Sequence, residues 1–223
     1  MDIKLFFQAI IKFGLGVLMI GLLLFIPANT INYWNGWLFM GLLFIPMFIA
    51  GIFMMVKSPD LLRKRLNVKE KENEQKEVIL CSGLMFLAGF IVAWFNYRYN
   101  WITLPNTVVI VSSVIFILAY ILYAEVLREN AYLSRTIEVQ KNQKVIDTGL
   151  YGIVRHPMYA ATILLFLSMP LILGSIISFI IFLVYPFIIA KRIKNEEELL
   201  ERELMGYSEY KKKVKYKVIP FIW

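Results

Sequence analysis

The chain has 223 residues, of which 59% are hydrophobic and 18% charged, with a mean hydropathy of +0.65. A soluble domain is far less apolar, and the charges here are clustered, leaving apolar blocks of membrane-spanning length. The excess of 24 Lys and Arg over 16 acidic residues points to loops facing an anionic lipid leaflet rather than to nucleic acid.

Six crossings are expected, at about 5–27, 34–56, 78–97, 106–126, 157–173 and 176–190, in an all-α integral membrane protein. Lys4 and Lys12 precede the first apolar run as in a secretion signal. No small-x-small cleavage site follows between Asn29 and Trp34, so the run reads as a retained helix. After the second run, residues 57–77 are highly charged and are expected to start a short helix, with Ser58 as N-cap and Pro59 in the first turn. The third run holds the single cysteine, Cys81, which excludes an internal disulfide or a cysteine metal cluster and reads as packing. The loops 28–33 and 98–105 are short, with Tyr33, Trp34, Tyr97, Tyr99 and Trp101 at interface depth.

The linker 127–156 is too long for a simple turn. It mixes Asn130, Ser134, Arg135 and Gln140 with Ile137, Val139, Val145 and Ile146, a pattern of ordered loop rather than disorder. Asp147-Thr148-Gly149 forms the expected turn before Tyr151. A plain surface connector has the same composition, and that reading stays open.

The sequence Arg155-His156-Pro157-Met158-Tyr159 opens the fifth run, with Pro157 suited to the first helical position. Arg155 and the lone His156 then flank a helix N-terminus, where amides and dipole favour an anion. A membrane-boundary role, with Arg155 reaching lipid phosphate, fits the same residues. Only Gly174-Ser175 separates the last two runs, so they are expected to form a helical hairpin. Its ends must lie close together. That would bring Arg192 and the Glu196-Glu197-Glu198 run beside Arg155 and His156, although a Glu run is also what a solvated helix face shows. The stretch NEEELLERELMG is expected to be a helix ending at Gly206.

Of the 24 Lys and Arg, 21 fall in three segments: seven in 57–77, five in 127–156 and nine in 191–217. Both termini and all the candidate chemistry are therefore expected on the cytoplasmic side. The chain divides into a four-span bundle, 1–127, and a region carrying the chemistry, 128–223. One His and one Cys leave no basis for a zinc or haem site, and no P-loop, G-x-G-x-x-G or H-E-x-x-H motif is present. Sparse intramembrane charge speaks against a transporter or channel.

The stretch from Gln140 through Lys144-Val145-Ile146 and Tyr151 to Arg155-His156-Pro157-Met158-Tyr159 resembles the isoprenylcysteine carboxyl methyltransferase family, part of a wider group that includes phospholipid N-methyltransferases. The resemblance continues through Arg192, the Glu run, Gly206, Tyr207, Tyr210, Val214 and Ile219-Pro220, covering residues 128 to 220. It implies an enzyme that uses S-adenosyl-L-methionine, held between the linker, the start of the hairpin and the tail helix. It also implies that Gln140, Lys144, Val145, Ile146, Tyr151, His156, Pro157, Met158 and Tyr159 contact the cofactor, with a Glu of the tail as another contact. Arg155 joins them as a candidate for the cofactor's carboxylate. Arg192 and Glu197 are the implied catalytic pair, Arg192 holding a substrate carboxylate. Counting back from Gly206 selects Glu197, whereas the spacing from Arg192 selects Glu196. The implied substrate is a prenylcysteine-like or isoprenoid carboxylate in the bilayer; a phospholipid amine, or an NADPH-dependent lipid reduction, are the alternatives.

Overall fold

The computed structural model describes residues 3–66, 73–133 and 139–223. The charged segment 67–72 and the linker residues Ser134, Arg135 and Ile137 lie outside the described residues. Among those described there is no strand; the elements are α1 (Ile3–Ala28), α2 (Trp34–Lys57), α3 (Pro59–Leu66), α4 (Asn73–Tyr99) and α5 (Asn106–Glu129), followed by a 3₁₀ turn (Gly149–Gly152) and then α6 (Pro157–Ile172), α7 (Ile176–Phe182), α8 (Tyr185–Glu203) and α9 (Tyr207–Lys213).

Among the described residues five stretches are long and apolar enough to cross a membrane: α1, α2, residues 76–99 of α4, α5, and the α7–α8 stretch 176–203; α6 is apolar but shorter. At 1.5 Å per residue, 26 residues of α1 reach about 39 Å, more than the hydrocarbon core. Phe7, Ile11, Leu15, Leu18 and Met19 of α1 are all exposed, and in water that apolar face would be unstable; in lipid it is solvated. This is an integral membrane protein. Most inward residues form a core in which Phe39, Phe116 and Phe182 are fully buried together with Ile172 and Ile193.

The hairpin expected from Gly174-Ser175 is present. Gly174 turns the chain at φ +79°, and the Ser175 hydroxyl caps α7 by accepting from the Ser178 N–H at 3.1 Å. Bare carbonyls at such a turn need donors. Tyr33 donates its hydroxyl to the Leu173 carbonyl (2.7 Å), Asn35 its amide to Ile172 (2.7 Å), and Asn96 its amide to Gly174 (3.1 Å). The turn is thus latched to the α1–α2 loop and the end of α4. Lower in the hairpin, Ser178 donates to the Gly89 carbonyl at 2.8 Å, and the Phe182 ring occupies the place a Cβ on Gly89 would need.

The second arm differs from the expected 176–190 span. The helix breaks at Leu183-Val184, where Pro186, having no N–H, cannot bond back to Phe182, and α8 then runs unbroken from the apolar stretch through the Glu run to Glu203. Arm and tail helix are therefore one rod, which carries Arg192 and the Glu run rigidly from the bundle. It ends before Gly206, whose φ of +87° turns the chain into α9.

At this charged end, α3 begins at Pro59 as expected and folds back on the bundle. Lys12 of α1 donates to the Leu66 carbonyl at 2.6 Å, and Lys64 lies 6.0 Å from the Tyr132 ring. The segment after α9 runs beside the approach to α6, with the Arg155 N–H on the Tyr216 carbonyl (2.9 Å) and the His156 N–H on Lys217 (2.8 Å).

Candidate functional site

Three local devices build a cavity at the charged end. The first is the 3₁₀ turn. Gly149 sits at φ +56°, and the Glu129 carboxylate fills the space a side chain there would take, accepting from the Leu150 N–H at 2.9 Å. This fixes Tyr151, whose hydroxyl accepts from Asn130 Nδ2 (3.0 Å) and whose carbonyl accepts from the Tyr210 hydroxyl (2.7 Å). The second device is His156 at the N-cap of α6 with Pro157 in the first turn; the His156 carbonyl accepts from the Tyr159 N–H at 3.0 Å. The third is the face pattern of α8. Ile189, Ile193 and Glu197, four residues apart, are all buried, whereas Arg192, Glu196 and Leu200 form the adjacent stripe that meets the cavity.

Ten of the thirteen residues expected from sequence line this cavity: Lys144, Val145, Ile146, Tyr151, Arg155, His156, Met158, Tyr159, Arg192 and Glu196. Gln140, Pro157 and Glu197 do not line it. Gln140 staples the linker, its amide donating to the Tyr132 carbonyl (2.6 Å) while its own N–H donates to Gln143 Oε1 (2.8 Å); Gln143 meets the cavity in its place. Pro157 is buried as the first residue of α6. Glu197 stands one layer back, because its stripe of α8 faces the protein interior.

That layer is a buried charge cluster. Glu197, 4% exposed, accepts from Arg155 Nε at 2.7 Å and faces His156 Nε2 at 3.2 Å, with Lys217 at 3.4 Å from its other oxygen. Arg155 also donates through Nη1 to the Val214 and Lys215 carbonyls (2.7 and 2.8 Å). Arg155 thereby ties α6, α8 and the final segment together while still meeting the cavity. Removing one partner from such a cluster strands a buried charge.

In front of it, Arg192 Nε donates to the Tyr159 hydroxyl at 3.0 Å, and that hydroxyl donates to Glu196 Oε2 at 2.6 Å. A cation, a phenol and a carboxylate are thereby held in one line on the cavity wall. The opposite quality of surface comes from Val145, Leu200 and Leu204. Sequence reading did not place Asn130, Tyr132, Leu133, Gln143, Leu200 or Leu204 at the cavity. For Leu200 the available signal is that it continues the four-residue series Arg192, Glu196. Burial pushes the phenols of Tyr151, Tyr207 and Tyr210 above the usual tyrosine range, so they are neutral hydroxyls.

Fold and site define a helical membrane protein with a polar cavity where its apolar helices end. Residues 108–202 match the family model of the isoprenylcysteine carboxyl methyltransferase (ICMT) family. The matched segment includes Tyr151 to Tyr159, Arg192 and Glu196. The chain is also similar to Delta(14)-sterol reductase TM7SF2 of Mus musculus, 26% identical over 91 residues that make up 40% of this chain and 22% of the reductase. The chain thus matches about a fifth of the length of that curated relative.

Proposed function

We propose that the protein is an S-adenosyl-L-methionine-dependent methyltransferase that esterifies the carboxylate of a prenylcysteine-like or isoprenoid substrate lying in the bilayer. The observation that carries this reading is the Arg192–Tyr159–Glu196 line on the cavity wall, at the point where the apolar helices end. In this reading α6 and the α7–α8 arm complete six crossings. Both termini and the cavity face the cytoplasm, residues 1–127 form the lipid-facing bundle, and residues 128–223 carry the chemistry.

The residues present fit such a cofactor. Val145, Leu200 and Leu204 offer an aliphatic wall for a purine, Lys144 and His156 suit a carboxylate, and Glu196 suits ribose hydroxyls or a nearby positive charge. The rings of Tyr151 and Tyr159 suit a sulfonium, a contact worth about 0.5–2 kcal/mol. When bound, the cofactor supplies an electrophilic methyl group, so that a new C–O bond forms as C–S breaks and a neutral thioether leaves. The protein's task is alignment in a partly dry site, where orientation contributes about 7–11 kcal/mol. Tyr159 holds Arg192 in place before substrate arrives, and the guanidinium then grips the acceptor carboxylate. A carboxylate with an unperturbed pKa of about 4 is ionised at neutral pH and needs no base. His156, engaged with Glu197, is in keeping with that.

Transfer of labelled methyl to prenylcysteine analogues, isoprenoid acids and membrane lipids tests the proposal. Carboxylate esterification is expected, with a rate nearly flat above pH 6; a rate climbing steeply with pH, and product on lipid amine, would replace it with N-methylation. The similarity to a sterol reductase supports a second reading, reduction of a membrane lipid. It would require the purified protein to bind NADPH and not S-adenosylhomocysteine.

A further inference from the structure

Tyr207 is the first residue of α9 and is 4% exposed. Its ring packs beside Tyr210, with centroids 5.7 Å apart, in an apolar cluster with Leu204 and Val214. The hydroxyl has no hydrogen-bond partner among the described residues. The other tyrosines on the cavity wall do not share this: the hydroxyls of Tyr132, Tyr151, Tyr159 and Tyr210 all have partners. Three buried side-chain polar atoms lack a partner among the described residues, and only this one belongs to a residue of the cavity wall. A buried hydroxyl left unpaired costs about 1–3 kcal/mol, and phenylalanine would fill the same apolar cluster without that cost.

We propose that the Tyr207 hydroxyl is a ligand-reading group that hydrogen-bonds the adenine edge of a nucleoside bound in the cavity. The inference rests on the cofactor reading above and specifies which end of the ligand lies where. Val145 and Leu200 pack against the same cluster, giving a purine an aliphatic surface to lie on, and a phenol both donates and accepts, which suits the mixed donors and acceptors of adenine. The charged line of Arg192, Tyr159 and Glu196 belongs to α6 and α8 and suits the reacting end.

The test is Tyr207→Phe in the full-length purified protein. Calorimetry would compare S-adenosylhomocysteine with 5′-methylthioadenosine, which keeps the nucleoside and lacks the amino-acid end. Ligand-free thermal stability is expected to be equal to or above that of wild type. Affinity for both ligands should fall by a similar factor, about 5- to 20-fold for one lost hydrogen bond. Unchanged affinity for both, or a lowered ligand-free melting temperature, would overturn the assignment. Loss for S-adenosylhomocysteine alone would move the contact to the amino-acid end and overturn the adenine placement. If wild type bound neither ligand, the cofactor reading itself would fall and this inference with it.

Discussion

Glu196 and Glu197 are neighbours in sequence and belong to different environments, because one helical residue is a rotation of about 100°. Glu197 neutralises Arg155 inside the protein; Glu196 steadies Tyr159 on the cavity wall. Their glutamine variants should therefore separate. Glu197→Gln leaves the Arg155 guanidinium buried without its counter-charge and is expected to cost about 3–5 kcal/mol, read in denaturant or thermal unfolding. Glu196→Gln keeps a hydrogen-bonding group of the same shape and is expected to stay within about 1 kcal/mol of wild type while methyl transfer falls 10-fold or more. Equal stability losses would mean that the two side chains share one environment. At this scale the sequence placed most of the cavity residues, because Arg155 to Tyr159 and the linker strip are local in the chain. It left Glu196 and Glu197 unresolved, since counting back from Gly206 assumes an unbroken register through Leu204 and Met205, which lie beyond the end of α8.

Elements place these side chains through two close approaches that only glycine permits. At Gly89 the Phe182 ring lies where a methyl would go, so Gly89→Ala should push the hairpin off α4 and cost about 1–3 kcal/mol as overpacking. Phe182→Leu should cost stability alone yet relieve part of the damage in the double variant, giving a clearly non-additive cycle by unfolding. At Gly149, alanine would meet both a left-handed φ and the Glu129 carboxylate, so Gly149→Ala should loosen the Tyr151 turn and weaken S-adenosylhomocysteine binding several-fold. The hairpin was legible because Gly174-Ser175 punctuates an apolar run. The continuity of α8 was not, because a polarity change at Lys191 looks like a boundary. KRIKNEEELLERE is made almost wholly of good helix formers, so the backbone continues where the solvent changes.

For the whole molecule the asymmetry of the two ends is decisive. One end is a latch of neutral groups, in which Tyr33, Asn35 and Asn96 hold the hairpin turn; the other collects the cavity, the Glu197 cluster and most of the positive charge. Hydropathy conveyed the spans, because lipid demands long apolar helices. It could not convey the latch, since three scattered polar residues show no pattern until the chain folds. The latch lies far from the cavity, so Tyr33→Phe should lower stability by about 1–2 kcal/mol through the unpaired Leu173 carbonyl, with S-adenosylhomocysteine affinity unchanged.

The same asymmetry makes orientation testable. Met205, 96% exposed, lies between α8 and α9 beside the cavity, and the exposed Thr103 lies in the short loop between α4 and α5. In a Cys81→Ser background, Met205→Cys and Thr103→Cys each supply one thiol for a membrane-impermeant maleimide. The positive charge around the cavity end should hold it on the cytoplasmic side. Cysteine at 205 is then expected to react in inside-out vesicles and stay protected in right-side-out ones, with position 103 behaving oppositely. Labelling of both positions from one side would require an even number of passages between residues 103 and 205, which means that one arm of the hairpin crosses and the other does not. α5 crosses once between those positions, and the hairpin adds two more only if its latched turn reaches the level of the α1–α2 loop. The hydrogen bonds from Tyr33 and Asn35 to that turn favour three passages, and a hairpin turning back early would leave one, so either way the cavity is expected on the face opposite Thr103.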